Sequence, residues 1–363
     1  MTTRTGLAAF TILFVAVLSL GDANAAKNTY KNLTQKERIE AIRRAQVWQQ
    51  TDIASLDMKA GPQDVKGFAP EETVTCDWVP KKVTSTPKFY CAIDPKDEVK
   101  VKYGEKNGEV YAEVAATRLL WALGFGADRM YPVKVNCRGC STDPISDQKK
   151  YPGERLFDPA AIERELPGHT MEADGKSGWN WTELSNVDQT NGGAPLAQRD
   201  ALKLLAVFMQ HTDNKFIQQR LICLDKHNDK DEASDTPDTG VCEHPFMMLN
   251  DVGKTFGKAN MFNKDEPGAV NLKEWASMSI WKGKSGCTGN LPKSMTGSLE
   301  DPQISEAGRK FLAGMLTQLS EQQIHDLFEV ARFPRRDRGT TVDDWVSAFK
   351  QKRDEITTRT CPS

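Results

Sequence analysis

The chain predicts an α+β fold in two lobes, a small, mostly antiparallel β lobe carrying one main helix and a larger, mostly helical one. Three stretches predict it. Short strand-like runs surround a single apolar helix between residues 74 and 140, a helix–loop–strand–strand run follows between 200 and 257, and capped amphipathic helices fill the end from residue 304.

Residues 1–25 are read as a secretory signal peptide, from Arg4, the apolar run Leu7 to Leu20 and the small-residue end Ala23-Asn24-Ala25. An uncleaved N-terminal anchor is the alternative, and no second such run follows. The expected location is secreted or periplasmic, off the membrane once the signal is cleaved. The net charge of −2, mixed along the chain, argues against nucleic acid or an anionic membrane as partner, and a monomer is expected.

Residues 26–66 are read as a helical extension. Thr34 and Glu37 form a capping box that opens an amphipathic helix through Ile39, Ile42 and Val47. The small lobe is placed at 67–142. Its runs VTCDWV and KFYCAI are neighbouring strands that set Cys76 beside Cys91, and in DEVKVKYG the valines alternate with Lys100 and Lys102, putting both lysines on one face. After a polar turn, EVYAEVAATRLLWALGF is a helix that carries Glu113 and turns Val110, Val114, Leu119 and Leu123 inward. RMYPVKVNCRGC is one further strand.

Residues 143–178, rich in Pro, Gly and charge, are read as a connection, and the large lobe as 179–363. Trp179 and Trp181 are read as packing residues rather than a base-stacking platform. ALKLLAVFMQHTDNKFIQQRLICL gives helix, loop and strand with Asp213 in the loop; HPFMMLNDVGKTFG gives a strand that delivers Asp251 into a glycine-containing turn. Taken singly, each aspartate reads equally well as a carboxylate capping a turn or a strand end. GKTFGKA does not fit a P-loop, because its glycines are too close and no Ser or Thr follows Lys258. Helices are expected from Ile304-Ser305-Glu306, from the Ser320/Gln323 box and from the Thr341/Asp344 box.

Eight cysteines follow the signal, and an even count in an exported chain argues for disulfides. Cys137-Arg-Gly-Cys140 is read as a tight disulfide; a redox pair or half a zinc site are the alternatives, but no second CxxC or His cluster accompanies it. Cys223 and Cys242 bracket an acidic insertion between two strands expected to pair, which sets them for a disulfide of their own.

Strand lysine, helix glutamate, loop aspartate and Asp-x-Gly stand here in the order that protein kinases use. The chain thereby resembles atypical members of that fold, closest to phosphatidylinositol-kinase-like and secretory-pathway kinases. The resemblance implies that Lys102 neutralises nucleotide phosphates while Glu113 holds its ammonium, that Asp213 orients the acceptor, and that Asp251 and Gln218 hold magnesium or manganese. It implies ATP as donor and a hydroxyl of a protein or glycan as acceptor. Two departures stand out: no GxGxxG precedes Lys102, and Gln218 occupies the place of a metal-binding Asn. A catalytically inactive pseudokinase, or a disulfide-stabilised exported binding protein, is the competing expectation.

Overall fold

The structure is a computed structural model that describes residues 29–83, 85–225, 241–257, 269–294 and 297–362. Residues 1–25, read above as a signal peptide, most of the acidic insertion after Cys223, and Lys258 lie outside the described residues. Helix α1 (Gln35–Arg44) opens on the Thr34/Glu37 capping box, with each partner's side chain bonded to the other's backbone N–H. Ile42 is buried as expected, but Ile39 is half exposed, because the helix stops at Arg44 and turns only a narrow stripe toward the protein.

Three strands follow: β1 (Thr73–Val79), β2 (Lys88–Asp94) and β3 (Asp97–Tyr103). Helix α2 (Glu109–Ala122) comes next, buried on nearly every side, and then β4 (Arg129–Arg138) and β5 (Glu154–Arg164). The five strands close into a barrel in the order β1-β2-β3-β5-β4. Four of its seams are antiparallel, and β1 and β4 close it in parallel, with Val74 opposite Val135. A closed barrel departs from the small kinase lobe that the sequence suggested. Its interior is a core of its own, including Val99, Val101, Phe89, Tyr103 and Phe157.

Strand β5 corrects the reading of residues 143–178 as a connection. Charged residues flank it and Pro159 interrupts it, so neither alternation nor a β-branched run marks it; yet Ala160, Ala161 and Ile162 are buried and pair with β3 and β4.

Beyond the barrel come β6 (His169–Thr170), α3 (Leu196–Phe208), β7 (Gln219–Cys223) and β8 (Pro245–Leu249), and the three strands form a second small sheet. The helices α4 (Leu272–Ser277), α5 (Glu306–Leu316), α6 (Glu321–Val330), α7 (Phe333–Arg336) and α8 (Val342–Thr358) complete it. Ser305, Ser320 and Thr341 cap α5, α6 and α8, while the short α4 and α7 carry too little periodicity to be foreseen. One large core joins α2 to these helices, and Trp179 and Trp181 are buried in it, as packing residues should be. Among the described residues no helix is long and apolar enough to cross a membrane.

Four disulfides are present: Cys76–Cys91, Cys137–Cys140, Cys223–Cys242 and Cys287–Cys361. The first three match the expected pairs, and Cys223 and Cys242 stand 5.7 Å apart at Cα, Cys223 ending β7 opposite Pro245 and Cys242 three residues before β8. Four disulfides are consistent with an extracellular protein.

Candidate active site

Lys102 leaves β3 on the outer face of the barrel, where α2 covers it, and its side chain is buried. Its ammonium lies 2.6 Å from the Glu113 carboxylate and 3.0 Å from that of Glu109. Glu109 and Glu113 are one helical turn apart and face the same way, so α2 presents two carboxylates to one lysine. Burial disfavours the charged ammonium, but Glu109, Glu113 and Asp251 outweigh it and hold its pKa well above the usual lysine range.

Asp251 follows β8 and lies near the same cluster. The backbone carbonyl of Gln218 accepts from the N–H groups of Asn250 at 3.0 Å and Asp251 at 3.3 Å, tying the end of β8 to the loop before β7. Asp251 and Glu113 act on each other electrostatically across the cluster. Burial raises Asp251, but Lys102, Glu113 and the Gly253 N–H hold its pKa far below the ordinary carboxylate range. Glu113 moves the other way, pushed well up by burial against the pull of Lys102. Thr86, in the turn between β1 and β2, donates to Glu109 at 2.9 Å, so that glycine-free turn folds over the cluster.

Asp213 lies in the loop after α3. Lys215 reaches it at 3.1 Å, Lys254 at 3.2 Å and the Gln218 side-chain amide at 3.1 Å. Burial raises its pKa, and the two lysines, Lys254 first, bring it below the ordinary value. Lys254 comes from the loop that carries Asp251, so one side chain joins the two aspartate loops. The neighbouring Asn214 is fully buried and spent on structure, donating to His211 O at 2.9 Å and accepting from Leu299 N–H at 2.9 Å.

The fold thus pairs Lys102 with Glu113, sets Asp251 near enough to act on both electrostatically, and places Asp213 and Gln218 beside the Asp251 loop. Sequence reasoning missed Glu109, whose signal was its four-residue spacing from Glu113, and Lys254, which was weighed only as part of a failed P-loop. A divalent cation fits the donor set: Asp251 and Gln218 offer hard oxygens, and the buried Glu113 Oε2 has no hydrogen-bond partner among the described residues.

No family model matches the chain, and no curated protein matches it. One solved structure, described as a Helicobacter pylori proinflammatory kinase, CtkA, aligns over 80% of this chain and 95% of that chain at 11% identity, with a TM-score of 0.40. The likeness is to a kinase. It is distant and too loose to carry an argument, so a functional reading has to rest on the side chains themselves.

Proposed function

We propose that the chain is an exported atypical phosphotransferase, moving the terminal phosphoryl group of ATP to a hydroxyl of a protein or glycan. The observation that carries this is the buried Lys102–Glu113 pair at 2.6 Å under the electrostatic influence of Asp251, with Asp213 joined to the Asp251 loop by Lys254. Such an arrangement offers in one place a cation for phosphate oxygens, carboxylates for a metal and a separate carboxylate for a hydroxyl.

In this reading Lys102 takes the α- and β-phosphate oxygens, and Glu113 and Glu109 fix its otherwise flexible ammonium. Asp251 and Gln218 would hold magnesium or manganese, which supplies charge neutralisation at the phosphates. Asp213 accepts a hydrogen bond from the acceptor hydroxyl and orients its oxygen toward the γ-phosphorus. A P–O bond forms to the acceptor, the bond to the β-phosphate oxygen breaks with its electron pair leaving on the diphosphate, and the hydroxyl proton passes through Asp213 to solvent. The low pKa of Asp213 suits a group that orients more than it abstracts.

One observation favours a second reading. The Gln218 side-chain nitrogen already donates to Asp213, leaving only its oxygen for a metal, which suits a non-catalytic nucleotide-binding protein on the same scaffold. Thermal melting with ATP and magnesium or manganese tests both readings, since a ligand bound only by the native state raises the melting temperature. Stabilisation together with transfer supports the phosphotransferase, stabilisation without transfer the second reading, and no stabilisation removes both.

A further inference from the structure

The Cys137-Arg-Gly-Cys140 motif has no second CxxC in the sequence, yet the fold brings another pair of sulfurs against it. Cys76 on β1 and Cys137 on β4 stand opposite one another across the parallel seam that closes the barrel. Cys91 comes from β2, on the other side of β1. These three and Cys140 belong to the barrel core, and none is more than 1% exposed. There the Cys76–Cys91 and Cys137–Cys140 bonds touch, with Cys91 Sγ 3.9 Å from Cys137 Sγ. The other four cysteines lie apart from them in the large core.

A thiolate displaces one sulfur of a disulfide by attacking the other. A thiolate freed at Cys137 is therefore already against the sulfur it would attack, Cys91 Sγ. We infer that the two bonds form one redox site, which accepts two electrons from a dithiol by exchanging both bonds for a single Cys91–Cys137 bond. One thiolate of the dithiol attacks Cys140 Sγ, which lies two residues beyond the end of β4, after the left-handed turn at Gly139. The Cys137–Cys140 bond breaks and its electron pair stays on Cys137. The Cys137 thiolate then attacks Cys91 Sγ, forming Cys91–Cys137 and expelling Cys76, which takes a proton. The second thiolate of the dithiol displaces Cys140 from the mixed disulfide, and Cys140 takes a proton. The dithiol leaves as a disulfide, and the protein keeps two thiols, Cys76 and Cys140. Burial means that the first attack requires the turn after β4 to open locally, whereas the exchange inside the barrel does not. None of this involves the nucleotide site.

Cys140→Ser isolates the exchange step, because it leaves one thiol against an intact bond. The folded variant is held at about pH 8, where thiolate is present, then quenched in acid denaturant, alkylated and mapped. Label is expected on Cys76 as well as Cys137, at no less than about a tenth of the Cys137 level, together with a Cys91–Cys137 linked peptide. Label on Cys137 alone would overturn the inference. Wild-type protein given a limiting amount of dithiothreitol should first yield a species alkylated at Cys76 and Cys140. Early species alkylated at Cys137 with Cys140, or at Cys76 with Cys91, would show two independent bonds and sink it. Should Cys140→Ser fail to fold, Cys76→Ser/Cys140→Ser is the second variant: it is expected to close a Cys91–Cys137 bond, and two free thiols there would also overturn the inference. Cys223–Cys242 and Cys287–Cys361 should stay linked throughout, and their scrambling in the same samples would count against exchange confined to the barrel.

Discussion

Gly253 packs so tightly against Glu109 that a β-carbon placed on it would lie 2.5 Å from Glu109 Cγ. This contact seats the Asp251 loop on the first turn of α2, where Glu109 also holds Lys102. Gly253→Ala is therefore expected to cost roughly 1–3 kcal/mol as an overpacked contact. It should also remove most of the melting-temperature rise produced by ATP with magnesium. Glu109→Ala in the same chain relieves the Cγ contact and should restore part of the stability without restoring the nucleotide effect. An alanine variant with unchanged nucleotide stabilisation would separate the loop's position from the binding site.

Lys102 and Lys100 share a strand face but not a role. Removing the Lys102 ammonium leaves buried carboxylates uncompensated, so Lys102→Met should cost roughly 3–5 kcal/mol and abolish nucleotide stabilisation. Adding Glu113→Gln should recover stability only. Lys100, whose partner is Glu163 and whose side chain is 29% exposed, should tolerate methionine with a smaller loss and retained nucleotide binding. Chemical denaturation with and without nucleotide measures all three, and equal small effects at both lysines would remove the assignment of Lys102.

The two aspartates are expected to fail at different steps. Asp213→Ala should keep metal-dependent ATP binding and lose transfer by at least about a hundredfold, the scale of a general acid–base or orienting group. Asp251→Ala should lose both. Parallel loss of binding in the two variants would mean that Asp213 belongs to the nucleotide site.

His211 predicts a pH dependence of stability. It is fully buried, both ring nitrogens lack hydrogen-bond partners among the described residues, and burial lowers its pKa to about 4 against the pull of Asp213 and Asp251. The folded state thus disfavours the imidazolium. Its contribution is complete above the unfolded value of about 6.5 and is lost as the pH falls from there toward about 4, by up to roughly 3 kcal/mol. Denaturant midpoints from pH 7.5 down to 4.5 should show the decline, and His211→Phe should flatten it; an unchanged slope would place the titration elsewhere.

The disulfides should differ in worth according to the loops they close. Cys287–Cys361 spans 74 residues and Cys223–Cys242 spans 19. Replacing each pair with serine should cost about 4.5 and about 3 kcal/mol respectively, through the entropy released to the unfolded chain. Peptide mapping without reduction checks the pairs directly, and Cys223 linked to any partner but Cys242 would break the placement of β7 beside β8.

What the sequence made legible was local. Alternation placed Lys102 on one face of a strand and periodicity placed Glu113 on the next helix, but their pairing was implied by the resemblance to kinases, while the Cys223–Cys242 bond followed from two strands expected to pair across an insertion. The caps at Thr34, Ser320 and Thr341 are three-residue signals. Closure of the barrel was not local: Val74 finds Val135 only when the whole unit has formed, and β5 hides behind charge and proline. Cys287 likewise finds Cys361 across several helices, with no nearby pattern to announce it. Lys254 was visible as a residue, but its reach to Asp213 depends on how β7 and β8 bring two loops together.

Joining β1 to β4 means that the barrel has no first or last strand. An open sheet ends in rows of unsatisfied N–H and C=O groups, which are templates for a neighbouring chain to extend. Here each of the five strands is flanked on both sides by others of the same molecule, so this part of the surface offers no place for a second copy to add a strand. The closed seam is a safeguard against self-association that needs neither charge nor a covering helix.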